Sequence, residues 1–267
     1  PIKLFNRISG SDMWHLWRRL RRRPCDLVVD FTRIGSRLGS VKRALMFAAI
    51  GAGRKIGRNT HGRGFYLDDT LDDPPTTAKH EVESCLEIVA LAGASSVEPQ
   101  LEIFLTDADH QEAAELLAAI TLKPTVIGFN PNANWPAKKW PCDRVVAAAD
   151  TLAERHDATI VLIGSPQERA DTAEIAQRMS QPATDIAGRL SLKGTAALLS
   201  RLDVFITNDT GPMHMAAAVN TPTVAIFGPI DPDRYGPYGL GEHCRILSHR
   251  NLCAARCEIV CAQPTHR

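Results

Sequence analysis

Apolar residues in this chain fall into short runs of three to five, each followed by a polar break and then by a stretch of helical periodicity. The clearest instance spans 203–229, DVFITNDTGPMHMAAAVNTPTVAIFGP. Val204, Phe205 and Ile206 form a β-branched and aromatic run that reads as a buried strand. Asn208, Asp209, Thr210 and Gly211 break it. Pro212 suits the first turn of a helix, with Asp209 or Thr210 as N-cap. The Ala-rich stretch 213–219 predicts a compact helix, and 223–227 a second buried strand closed by Gly228 and Pro229. An acid, a hydroxyl and a glycine thus stand where a helix begins, and a helix N-terminus suits a phosphate. An ordinary capped crossover reads the same locally, so the rest of the chain decides.

The same alternation fills the second half. Strands are expected at 126–129, 159–163 and 184–187, and helices at 142–156, 167–179 and 191–202. Repeated β-turn-α units predict an open parallel sheet with helices on both faces, in which ligands sit outside the carboxyl ends of the strands. The loops 130–138, 164–168, 187–191, 208–214 and 228–236 are therefore the candidate site. The first half alternates too, with less sheet: a strand at 27–29 closed by Asp30, a helix at 40–50 stopped by Gly51, a strand at 54–57, a long loop at 58–77, and a helix at 80–92 ended by Gly93. Residues 97–123 read as a linker region with an extended segment at Leu101, Ile103 and Leu105 and a helix capped by Thr106 or Asp107. The expected domains are 1–123 and 124–267. The helix expected at 13–23, MWHLWRRLRRR, sets Trp14, Trp17 and Leu20 on one face among arginines. Such a surface can touch an anionic membrane, but a solvated helix with one packed stripe is the plainer reading.

Composition narrows the class. The chain has 267 residues, 44% hydrophobic and 23% charged, as in globular proteins, and a net charge of +1 that makes no case for nucleic acid. No apolar run approaches the roughly 20 residues of a membrane span, and the opening PIKLFNR has no signal-like apolar stretch. The 7 cysteines are scattered, which is no disulfide framework and fits a reducing cytoplasm. Cys253, Cys257 and Cys261 stand four apart, yet neither spacing nor ligand count makes a zinc site, and no metal or cofactor is expected.

The strand-end loops carry the chemistry. In NPNANWPAKKWP, Lys138 is a mobile ammonium suited to phosphate and Asn134 can donate to a phosphate or a sugar hydroxyl. Trp140, just before a helix, reads as core. Glu168 can accept from ribose hydroxyls, though a first-turn acid is favoured by the helix dipole in any case. His214 can donate to phosphate or sugar, and a packed histidine fits it as well.

GFNPNANWPAKKWP, LIGSPQE, AGRLSL and TNDTGPMHMAAAVNTPTVAIFGPIDP occur in this order and spacing. Together they resemble the ADP-heptose:lipopolysaccharide heptosyltransferases, glycosyltransferase family nine. The resemblance covers about residues 24–240; the specific signal is the pair NDTGPMH and GPIDP. It implies an α/β fold of the GT-B type, two Rossmann-like domains with parallel sheets, the N-terminal one incomplete. It implies cytoplasmic, inverting transfer of a heptose from ADP-heptose to a lipopolysaccharide inner-core acceptor, with the donor held mainly by the C-terminal domain. By position, Asp209, Thr210 and Gly211 would meet diphosphate and sugar, Lys138 would offset diphosphate charge, Glu168 would hold the ribose, Leu190 and Ser191 would lie near the base, and His214 would line the same site. Asn134 replaces a usual Ser or Thr, and Asn132 a usual Gly. The family opens with a strand and a glycine loop carrying the acidic base. This chain is expected to start after them, which leaves the base unassigned; Asp12, in a faint echo of that loop, is the sole stand-in. The competing readings are a truncated module that binds a nucleotide-sugar without transferring it, and a GT-B relative using another nucleotide-sugar.

Overall fold

The structure, a computed structural model, describes residues 25–73, 79–95 and 98–248, with His15 and Arg18. Asp12, the other residues of the helix expected at 13–23, and Cys253, Cys257 and Cys261 lie outside the described residues. The chain divides into two compact units, Pro1–Glu98 and Pro99–Arg267.

In the first unit β1 (Leu27–Asp30), β2 (Arg54–Asn59) and β3 (Asp69–Asp72) form a parallel sheet in the order β1-β2-β3. Helix α1 (Arg37–Ile50) connects the first two, and α2 (Glu81–Ala90) follows the third. The side chain of Ser36 caps α1, and Gly51 at φ 70 turns the chain out of it. β3 replaces part of the loop expected at 58–77. Its sequence DTLD carries no apolar run to announce a strand; side-chain pairing helps hold it, with Arg54 2.8 Å from Asp69 and the Asn59 amide donating to Asp72 at 2.8 Å.

Two buried acids organise this unit. Asp30, at the carboxyl end of β1, accepts from the Thr32 hydroxyl at 2.6 Å, Arg43 at 2.9 Å and the Tyr66 hydroxyl at 3.0 Å. Burial, and then the Asp30 charge, push the Tyr66 phenol well above its ordinary range. Asp73 takes Arg33 at 2.5 and 3.1 Å and has Arg58 at 3.5 Å. The Arg58 side chain is fully buried on β2 and also meets Glu81 at 2.6 Å.

The second unit starts earlier than the expected boundary at 123/124. Helix α3 (Asp107–Ala118) is closed by a capping box of Thr106 and Asp109. Its Ala113, Leu116 and Leu117 are buried in one cluster with Leu198, Leu199 and Phe205. An apolar helix face needs a partner, and this one finds it in the second unit, so residues 99–123 belong there. The segment 101–105, with its alternating pattern, joins no sheet.

Six strands among the described residues follow in one parallel sheet: β4 (Thr125–Asn130), β5 (Ala158–Leu162), β6 (Ala183–Asp185), β7 (Val204–Asn208), β8 (Thr223–Phe227) and β9 (Cys244–Ser248). The connecting helices are α4 (Cys142–Arg155), α5 (Arg169–Arg178), α6 (Leu192–Leu199), α7 (Gly211–Ala218) and the short α8 (Pro232–Tyr235). Spatial order is β6-β5-β4-β7-β8-β9. Alternate side chains separate the two faces. Val126, Val161, Ile163 and Phe205 pack with α3, α6 and α7, whereas Ile127, Phe129, Ile160 and Leu162 pack with α4 and α5.

Candidate functional site

Counted from β4, the sheet of the second unit has the order 3-2-1-4-5-6, that of a dinucleotide-binding α/β sheet. The chain winds outward from β4 toward β6 and returns to β7 on the other side. β4 and β7 are neighbours whose connections diverge, which opens a crevice at their carboxyl ends. A cleft of about 900 Å³ lies there.

All eight residues expected from the sequence line it: Asn134, Lys138, Glu168, Leu190, Asp209, Thr210, Gly211 and His214. They come from the ends of four strands. The loop after β4 supplies Asn134 and Lys138, the turn after β5 supplies Glu168, the segment after β6 supplies Leu190, and the start of α7 supplies the rest.

The centre is an ion pair. Lys138 Nζ stands 2.6 Å from Asp209 Oδ2 and 3.5 Å from the Asp209 carbonyl oxygen. The Asp209 carboxylate is 6% exposed, so the ammonium more than bulk water offsets its charge. Lys138 also lies 5.1 Å from the centroid of the Trp135 ring, a cation–π distance. Of the sequence alternatives for the N-cap, Thr210 takes the position, with extended backbone. Its hydroxyl does not cap the helix. It accepts from Asn130 Nδ2 at 2.9 Å and donates to the Asn208 carbonyl at 3.3 Å. The helix then opens at Gly211, where an added Cβ would meet no atom within 4 Å. Glu168 accepts from the Ser165 backbone N–H at 2.7 Å, which fixes its carboxylate over the turn after β5. Trp140, read as core, is half-buried and packs against the edge of the cluster covered by α4 and α5.

Asn208 ties these loops together. Its amide donates to the Pro131 carbonyl at 2.8 Å, and its Oδ1 accepts from the Trp140 N–H at 3.2 Å. The loop after β4 is thereby held at both ends by one buried side chain. On the far side of the cleft, Gly188 has φ +65, and a Cβ there would come 2.6 Å from Pro166 Cα, so glycine is required on both counts.

The sequence profile of Glycosyltransferase family 9 (heptosyltransferase) matches residues 13–265. The chain belongs to glycosyltransferase family 9. A lipopolysaccharide core heptosyltransferase of Haemophilus influenzae, OpsX, is 23% identical over 84% of this chain and 62% of its own length. Lipooligosaccharide heptosyltransferase 2 of the same organism is 31% identical over 62% of this chain and 50% of its own length. The chain thus spans about half to two thirds of these relatives. Among solved structures, a family 9 glycosyl transferase from Veillonella parvula superposes with a TM-score of 0.73 at 24% identity, covering 90% of this chain and 68% of that one. The E. coli ADP-heptose lps heptosyltransferase II gives 0.67 at 24% identity, over 89% and 72%. The fold is that of the GT-B heptosyltransferases, α/β with two parallel sheets.

This family 9 cleft is also lined by Asn130, Ser165, Leu192, Thr195 and Tyr235, to which the sequence gives no role, and by Asn132, marked in it only as the replacement for a usual Gly. The loops 130–138, 164–168 and 228–236 had been singled out, so four of the six fell inside a candidate segment; what was missing was which side of each loop faces the cleft. Leu192 and Thr195 start α6 just beyond the expected loop.

Gly228 has a positioning role of its own. A Cβ there would stand 2.5 Å from the carbonyl oxygen of Ala137, the residue before Lys138. Real Cβ atoms do not approach so closely, so Gly228→Ala must push the Lys138 segment away. For any ligand that Lys138 holds, the expected result is roughly tenfold weaker binding, as displacements below 1 Å carry less than the hundredfold penalty of a full ångström. Calorimetric titration of the variant against the unsubstituted protein checks it.

Proposed function

We propose that this chain is the donor-binding and transferring part of an inverting heptosyltransferase, moving a heptose from ADP-heptose to the lipopolysaccharide inner core at the cytoplasmic face of the inner membrane. The observation that carries the reading is the convergence of eight family-matched residues from four strand ends on one cleft at the switch point, with the Lys138–Asp209 pair at its centre. The relatives named above are heptosyltransferases, and the E. coli heptosyltransferase WaaC has been solved with ADP.

On this reading the start of α7 and Lys138 face the diphosphate. Loss of the nucleoside diphosphate leaves growing negative charge on its terminal phosphate oxygen. Donors fixed in place before the reaction stabilise that charge most effectively, and a helix N-terminus adds its dipole. Asp209 is repelled by phosphate, so its role is to seat Lys138 and to accept from sugar hydroxyls. Glu168 accepts from the ribose, Leu190 packs at the base, and Asn134 and His214 donate to phosphate or sugar. Inversion needs the acceptor hydroxyl to attack opposite the leaving diphosphate while a base takes its proton. The two carboxylates of the cleft named here are already engaged, Asp209 by Lys138 and Glu168 by the Ser165 N–H. The resemblance to the family places the base on its opening glycine loop, and no residue of this cleft is assigned that role.

A calorimetric panel of ADP-, GDP- and UDP-sugars tests the donor. Binding of ADP-heptose with weak or no binding of the others is expected; tight UDP-sugar binding without ADP-heptose binding refutes the heptose assignment. A transfer assay on a lipopolysaccharide inner-core acceptor separates an enzyme from a module that only holds the donor.

A further inference from the structure

Asn132 is 3% exposed and lines the cleft, yet its side-chain Nδ2 has no hydrogen-bond partner among the described residues. A buried N–H group without a partner forfeits the free energy of its lost hydration, and native structures keep few such groups without a reason. The backbone around it is not slack. The Asn208 amide reaches the Pro131 carbonyl at 2.8 Å and the Asn132 carbonyl at 3.5 Å, so the residue is held at both its own and the preceding peptide. The side chain alone is left to move, and the terminal torsion of an asparagine is soft and broad. A turn about that torsion is the motion that would bring the amide to a ligand in the cleft.

Its neighbours define what it would meet there. Asn130, two residues back, hydrogen-bonds the Thr210 hydroxyl at the start of α7. Lys138, on the same loop, is the ammonium of the cleft. A cleft lined by a cation and a helix N-terminus suits an anionic oxygen, and donation from an N–H to an ionised acceptor is about twice as strong as to a neutral one. We infer that Asn132 is a binding residue of the donor site, its Nδ2 donating to an oxygen of the bound nucleoside diphosphate. The inference rests on the donor reading above.

Calorimetry with ADP and with ADP-heptose, on the unsubstituted protein and on two variants, tests it. Asn132→Ala should weaken both ligands about ten- to hundredfold, the loss expected of one hydrogen bond to a charged group. Asn132→Asp, which keeps the shape but replaces the donor with a negative charge, should weaken both further. The melting temperature of the free Asn132→Ala protein should stay level or rise, because an unpaired buried amide is removed. A fall in melting temperature with unchanged ADP affinity would make Asn132 a packing residue and overturn the inference. A loss confined to ADP-heptose would move the contact to the sugar and overturn the phosphate assignment. If the unsubstituted protein binds both ligands and the alanine variant matches it, only the Asn132 assignment fails. If the unsubstituted protein binds neither, the donor reading fails and takes this inference with it.

Discussion

Asp209→Ala is expected to weaken nucleotide-sugar binding by about a hundredfold or more, the scale of one or two lost hydrogen bonds to a charged group. Two effects act in the same direction. The variant removes the carboxylate assigned to the sugar hydroxyls, and it frees Lys138, whose Nζ is held 2.6 Å from Asp209 Oδ2. A third opposes them, since deleting a negative charge eases the approach of a diphosphate. ADP alone, with no sugar to lose, should therefore suffer less than ADP-heptose. Asp209→Asn keeps the shape and a weak acceptor but leaves Lys138 without a counter-charge, so it should fall between. Calorimetry with the two ligands measures the gap, and an Asp209→Ala protein with unchanged donor affinity and turnover would sink the assignment.

Arg58→Ala should destabilise the first unit by about 3–5 kcal/mol, the range for breaking a buried ion pair by removing one partner. The guanidinium of Arg58 has no solvent exposure. Burial opposes its charge, but the hydrogen bond and charge of Glu81, with Asp73 behind them, more than offset this and hold its pKa above the ordinary value. Without it Glu81 loses a 2.6 Å partner, while Asp73 keeps Arg33. A domain is stable by only about 5–15 kcal/mol in all, so the loss is a large share of the total. Glu81 is thus the acid most exposed to the change, and pairing Arg58→Met with Glu81→Met should restore part of the stability. Denaturant midpoints of the single and double variants decide the matter; a single variant within 1 kcal/mol of the parent would show that the pair contributes little.

The sequence was readable where one physical signal dominated. Continuous apolar runs such as those of β4, β5 and β8 are what a sheet covered on both faces requires, and polar segments between them had to lie at strand ends. The cleft residues followed from that placement. β3 escaped because its ladder is made by backbone groups and charged side chains, which carry no periodic mark. The linker pattern at 97–123 does not locate the boundary between the units, because a lone amphipathic helix does not say which neighbour covers it. Glu112 of α3 accepts from the Ser191 N–H at 2.7 Å and hydroxyl at 2.6 Å, a contact across 79 positions that no local pattern reveals. Asn132 and Asn208 were two asparagines among several; their difference lies in partners, one having none for its amide nitrogen and the other having them on both sides.

That grip of Asn208 on the loop after β4 bears on how a ligand would be received. Ordering one residue of backbone takes about 1–2 kcal/mol of conformational entropy. Here that ordering of Pro131, Asn132 and Trp140 accompanied folding itself. An arriving ligand then meets a loop with one shape instead of many, and the adjustments left are swings of Lys138, Asn132 and their neighbours. Such swings involve a few side-chain torsions each, whereas reordering a loop involves the backbone of many residues and takes nanoseconds to microseconds. A pocket of this build is set up for affinity governed by contacts, with little of it drained by settling the protein.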